Sequence, residues 1–223
     1  MLSTFIGILI MEIRKQKDRH KEDLRQRILD AAKTLFMKHG YEATSIRKIA
    51  AEIKFSPTTI YLYYRDKNDI LYALHQEGFR MLGISFAALA QVEHPFERLK
   101  AMGRTYLQFA LENSDFYELM FIMKEPLLWL DEKSCTSADW EEGVKVFDFL
   151  QNTILDCQNH NYFAGQNPKL FSLFVWSTVH GLCSLTLHGH FEHVVKENDF
   201  DADANSVLKS SFENFLNILE KIK

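Results

Sequence analysis

The sequence is poor in the residues that punctuate or staple a chain. Its 223 residues hold four Pro and nine Gly, spread along the length, so no Pro- or Gly-rich linker and no internal repeat divides it. Cysteine is scarcer still. Cys135, Cys157 and Cys183 lack metal-ligand spacing, and an odd number argues against a complete disulfide framework. All three read as reduced thiols of a cytoplasmic protein, Cys183 as a small core residue. No long apolar run stands at the start. MLSTFIGILIM is too short for a membrane span of about 20 residues, and it lacks the preceding positive charge of a signal peptide. Arg14, Lys15 and Lys17 follow it instead, and Met11 directly precedes that charged stretch. The sequence therefore favours a translation start at Met11, with residues 1–10 an untranslated or disordered part of an extension over 1–22.

Catalytic fingerprints are missing as well. No G-x-S-x-G, H-E-x-x-H, Walker A or dinucleotide-binding pattern occurs, and no Cys has a plausible base nearby in sequence. The expectation is a non-enzyme without a cofactor. What remains is a chain 47% hydrophobic, enough for one large core or two smaller ones. The net charge of −4 hides a division: residues 11–70 carry 14 Lys and Arg against 9 Asp and Glu, whereas 71–223 carry 12 against 21. Such a split suits a molecule whose N-terminal part alone meets a polyanion.

Periodicity places helices throughout. Leu24, Ile28, Ala31, Ala32, Leu35 and Phe36 share one helical face from Asp23 to the stop at Gly40. Thr44 or Ser45 caps a second helix with Ile46, Ile49, Ala50 and Ile53 inward. Ser56 and Pro57 open a third, which turns Ile60, Tyr61 and Tyr64 inward and leaves Thr58, Thr59 and Tyr63 available. Three short helices with a hydroxyl-rich third one describe a helix-turn-helix unit. Its third helix fits the major groove of duplex DNA, and Lys67 can reach a phosphate. A plain three-helix packing unit would show much of the same pattern.

Residues 24–70 resemble the DNA-binding domain of the TetR family of bacterial transcriptional repressors. The family pattern F-x-x-x-G-Y-x-x-T stands as Phe36, Gly40, Tyr41 and Thr44, and I-x-x-I-A as Ile46, Ile49 and Ala50. Its third-helix pattern stands as Ser56, Thr59, Tyr61, Tyr63, Tyr64, Lys67 and Leu71. The resemblance implies backbone contacts from Thr44, Tyr63 and Lys67, and a groove-facing side at Arg47, Pro57, Thr58 and Thr59. With the caps Ser45 and Ser56 these make the expected DNA-binding set. Lys54 stands where the family often has Gly, Tyr64 where Phe is commoner, and Thr58 where Gly is frequent. The first departure raises the question whether the turn avoids a positive φ.

The expected class is all-α: a helix-turn-helix domain over 23–68 and a helical effector-binding and dimerisation domain over 69–223, about nine helices in total. A fourth helix from near Lys67 to about Ala90 connects them, and further helices are expected at 95–112, 113–124, 126–132, 139–158, 170–188 and 203–220. The segment 170–188 is apolar almost all round, which requires burial on most sides. Family resemblance assigns the last two long helices to a homodimer. Trp176, His180 and Gly181 resemble the WHG type of C-terminal regulatory domain; Gly181 permits a close helix approach. Tyr106, Phe109, Tyr117, Met120, Phe121, Trp129, Trp176 and His180 are candidates for a hydrophobic effector, though ordinary core packing gives the same spacings. The expected function is a regulator, a repressor freed from operator DNA by that effector. A metal sensor using His180, His188, His190 and His193, or a helical interaction protein without DNA, are the alternatives.

Overall fold

A computed structural model describes residues 2–126, 140–198 and 200–222. The described residues form ten α-helices and no strand: α1 (Leu2–His39), α2 (Ile46–Glu52), α3 (Pro57–Tyr61), α4 (Lys67–Ala87), α5 (Pro95–Glu112), α6 (Ser114–Tyr117), α7 (Glu141–Asn159), α8 (Pro168–Leu187), α9 (His190–Glu197) and α10 (Ala204–Glu220). The expected 126–132 helix lies almost wholly outside the described residues. The chain divides into two compact units, residues 1–75 with 124–131, and residues 76–123 with 132–223.

In the first unit, α1 begins at Leu2, well before Asp23. No Pro interrupts residues 2–22, and the stretch from Glu12 is rich in Lys, Arg, Gln and Glu, all good helix formers. Ile28, Ala32 and Phe36 of α1 close on Ile49 and Ala50 of α2 and on Ile60 of α3, all buried. Ile70, Leu71 and Leu74 from the first turns of α4 complete this core. Burying each large apolar side chain contributes about 1.5–3 kcal/mol. Tyr41 packs back on α1 as its position suggests, its ring 5.6 Å from that of Phe36.

In the second unit, α5 packs on α7 and α8, and α10 packs on α8 and α9. Pro95 and Pro168 occupy the first helical positions of α5 and α8, with His94 and Asn167 as caps. A five-residue π-helical stretch, Glu118–Ile122, continues α6. The loop after α7 turns through left-handed Asn161 and Phe163, and the Phe163 amide donates to the Ile222 carbonyl at 3.0 Å, tying down the C-terminal end.

The histidine-rich HGHFEH run spans a helix boundary: Gly189 takes φ 74° and ends α8, and His190 starts α9. One expectation changes here: α8 is not buried on most sides. Phe171, Val175, Val179 and Cys183 face inward at helical spacing, but Leu170, Leu173, Phe174 and Leu185 are exposed, Leu170 at 67% and Phe174 at 50%. By length and composition alone this helix would also cross a membrane.

Candidate nucleic-acid interface and apolar cavity

Two serine caps build the first candidate site. Ser45 accepts from the Lys48 amide at 3.3 Å at the start of α2. Ser56 accepts from the Thr59 amide at 3.2 Å at the start of α3, with its Oγ 2.9 Å from the Thr59 hydroxyl. Between these helices the Phe55 amide reaches the Ala50 carbonyl at 2.9 Å, which closes the end of α2 through a left-handed residue. That residue is Lys54, at φ 60°. The turn therefore takes a positive φ without Gly, in a region that costs an L-residue about 1–2 kcal/mol.

Of the candidate DNA contacts, Ser45, Arg47, Ser56 and Thr58 are exposed, while Pro57, Thr59 and Tyr63 are half-buried. Thr44 differs. It is 2% exposed, and its hydroxyl reaches the carbonyls of Leu35 at 3.2 Å and Gly40 at 2.9 Å. Its side chain satisfies the end of α1 and does not face outward. Lys67 is half-buried: its Nζ donates to the Tyr41 carbonyl at 2.8 Å and lies 3.8 Å from the centre of the Tyr41 ring. Burial and neighbouring carboxylates push the Tyr41 phenol up to about 12. Tyr61 corrects the sequence reading in the other direction. α3 ends there, so Ile60 and Tyr64, four apart, point inward, and Tyr61 is 56% exposed. Leu62, 75% exposed, stands beside it and was missed altogether. The chain thus presents Arg47, Thr58, Tyr61 and Leu62 to solvent from α2, α3 and the turn after it. The buried Tyr64 accepts a hydrogen bond from Arg25 Nε at 3.2 Å, which anchors that turn to α1.

The second site is a cavity of about 70 Å³ within the second unit. α4 contributes Phe79, Leu82 and Phe86, and α5 contributes Leu99, Met102, Gly103 and Tyr106. Trp140 and the first half of α7, Val175, Trp176 and Val179 of α8, and four apolar residues of α10 close it. Two glycines shape the walls. A Cβ at Gly103 would stand 2.6 Å from the Phe212 ring, and one at Gly143 would collide with the Trp140 indole.

Three expected effector residues line this space: Tyr106, Phe121 and Trp176. Phe109, Tyr117, Met120 and His180 do not, and Trp129 lies outside the described residues. Phe109 is core, and Met120 packs where Gly78 lacks a side chain. Tyr117 and His180 stand behind the wall. Trp176 Nε1 donates to the Tyr106 hydroxyl at 3.2 Å, the Tyr106 hydroxyl is 3.1 Å from His180 Nδ1, and the Tyr117 hydroxyl donates to the His180 carbonyl at 3.0 Å. Burial lowers the pKa of His180 and raises those of both phenols, so the network is neutral. Sequence reasoning missed the α4, α7 and α10 contributions, because their apolar stripes look alike whether they face a core or a space.

Gly181 meets nothing within 4 Å where its side chain would stand, so no helix among the described residues uses the gap. Cys157 and Cys183 are buried free thiols, pushed up to about 12 by burial, hence poor nucleophiles. Among the described residues, no three His, Cys, Asp or Glu gather closely enough to hold a metal. His188 instead meets the Ser184 carbonyl at 2.8 Å and Glu118 at 3.5 Å.

A family model described as bacterial regulatory proteins, tetR family, matches residues 28–74. One described as a tetracyclin repressor-like C-terminal domain matches residues 99–206. Similar curated proteins include the HTH-type transcriptional regulator HbdR of Aromatoleum sp. (strain CIB), 47% identical over 51 residues, 23% of this chain and 22% of that one. An HTH-type regulator of Staphylococcus aureus (strain USA300) is 30% identical over 90 residues, 40% of this chain and 49% of its own. The chain therefore spans about half the length of that relative, or less. Among solved structures, a Rhodococcus sp. RHA1 protein of unknown function aligns with TM-score 0.67 and 22% identity over 88% of this chain and 95% of its own. The fatty acid degradation regulator FadR of Bacillus halodurans aligns with TM-score 0.66 and 18% identity over 86% and 94%. At such identities the likeness is one of fold.

Proposed function

Since the chain belongs to the TetR family of bacterial regulatory proteins, we propose that it is a sequence-specific DNA-binding transcriptional repressor, released by a small hydrophobic effector. The observation that carries this reading is the outward set Arg47, Thr58, Tyr61 and Leu62, held by the Ser45 and Ser56 caps. These side chains supply a cation, a hydroxyl with its methyl, an amphipathic ring and an apolar contact, the kinds of group that read base edges and phosphates. Lys67 is assigned a phosphate role that requires it to leave the Tyr41 carbonyl.

Two copies pair through α8 and α10 in this proposal. Leu170, Leu173, Phe174 and Leu185 of α8 and Ile218 of α10 are exposed apolar residues, and the gap at Gly181 accommodates a helix of the second copy. The two reading units would then meet successive major grooves about 34–36 Å apart. The effector occupies the apolar cavity in this proposal. A space of about 70 Å³ is smaller than the ~300 Å³ at which ordinary ligand pockets begin. Entry must displace wall side chains, and the walls include α4, whose first turns belong to the DNA-binding unit, and α10. Ligand binding shifts the DNA-binding equilibrium only by its difference in affinity between the two wall arrangements. Retention of selected DNA fragments, with and without ligand, tests the reading: Arg47→Ala and Thr58→Ala each weaken retention, and ligand lowers it.

A further inference from the structure

The cavity wall is unusual in what its polar atoms are doing. Among the described residues every lining side chain is uncharged, and all but three are hydrocarbon, thioether or glycine. Of the three with polar atoms, Tyr106 and Trp176 are already engaged, Trp176 donating to the Tyr106 hydroxyl, which also meets His180. The third, Trp140, has its indole Nε1 buried with no hydrogen-bond partner among the described residues. A buried donor left unmatched costs free energy that an incoming acceptor restores. A carboxylate or phosphate entering the same space would lose its hydration with no cation among the described wall residues to replace it, and such a group binds only after protonation. An ammonium would find no carboxylate among them.

We propose that the cavity selects an uncharged ligand with an apolar body and a single hydrogen-bond acceptor (an ester, ketone or ether oxygen) received by the Trp140 N–H. The inference rests on the cavity being the effector site. It separates this chain's ligand from free fatty acids and other organic anions, although one fold neighbour regulates fatty acid degradation. It also gives Trp140 a role that the Tyr106–Trp176–His180 network cannot share, since those groups satisfy one another.

The test is calorimetric titration of the full chain at pH 8 with matched sets: straight-chain carboxylates of six to twelve carbons, their methyl esters, and the parent alkanes. The expected result is that at some length the ester binds at least tenfold more tightly than its acid, and that acid affinity falls about tenfold per pH unit above the acid's own pKa. Trp140→Phe should weaken the ester about fivefold while leaving the alkane unchanged, the loss of one ordinary hydrogen bond. An acid that binds as tightly as its ester at pH 8 overturns the proposal, as does a complete absence of ester binding up to the solubility limit. Equal loss of ester and alkane affinity in Trp140→Phe overturns the role of the N–H. DNA retention by the unliganded protein is measured on the same preparation, so failure of the regulator reading and failure of the ligand preference are seen separately.

Discussion

The Tyr106 hydroxyl on α5 stands 3.1 Å from Nδ1 of His180 on α8, and the same hydroxyl accepts the Trp176 N–H at 3.2 Å. This link joins two helices at the cavity wall without charge. Tyr106→Phe keeps the ring but leaves the indole N–H without its acceptor, while His180 Nδ1 keeps the Tyr117 hydroxyl at 2.9 Å. The expected cost is about 1–3 kcal/mol, read as a lower denaturant midpoint, with DNA contacts at the other unit untouched.

Two histidines make the fold sensitive to acid. Burial lowers the pKa of His75 from 6.5 to about 4 and lowers that of His180. Below pH 6.5 the unfolded chain takes up protons that the folded chain refuses, so stability falls as pH drops from about 6.5 towards about 4. His75 alone accounts for about 3 kcal/mol of that loss. Unfolding midpoints between pH 7 and pH 4 should drop, and His75→Gln should flatten the slope.

Lys54 holds φ 60° where a glycine would carry no side-chain penalty. Lys54→Gly should stabilise the chain by up to about 1 kcal/mol after its greater unfolded-state entropy is counted. Lys54→Ala, which retains a Cβ, should not. Thermal unfolding of the two variants separates backbone relief from loss of the charge.

Thr44 and Arg47 separate folding from reading. Thr44→Val removes a buried hydroxyl from the Leu35 and Gly40 carbonyls and should cost about 1–3 kcal/mol of stability. Arg47→Ala, at an exposed position, should leave the unfolding midpoint within about 0.5 kcal/mol of the parent while lowering DNA affinity and its salt dependence.

Much of this was legible in the sequence. The Ser56–Pro57 start, the Ser45 cap and the stop at Gly40 are short-range signals, and each stands where the local chemistry puts it. Ile60 and Tyr64 also fall inward as their spacing requires. Tyr61 did not, because five residues make too short a helix for a broad buried face, and an aromatic ring in an apolar-looking run passes for core. The burial of Thr44 was not legible, because it depends on the Leu35 and Gly40 carbonyls that its hydroxyl satisfies across the turn after α1. The α8 sequence carries no polar face, so its composition could not say that one side of it is left open. The cavity was half visible, since Tyr106, Phe121 and Trp176 were singled out but the α4 and α10 walls depend on long-range packing that no local pattern encodes.

The outward face of α8 predicts its own partner. Leu170→Asp places a charge among the exposed apolar residues of α8, at a side chain 67% exposed, and should shift the protein towards a monomer in sedimentation at micromolar concentration. DNA affinity should fall with it, because paired half-sites need paired units.

The most direct measurement is selection of bound fragments from a pool of random duplexes at low salt, using the full chain. The account requires enrichment of a two-fold symmetric sequence whose half-site centres lie about 34–36 Å apart along the duplex, lost in Arg47→Ala. Retention of every duplex alike, or of none, would contradict it.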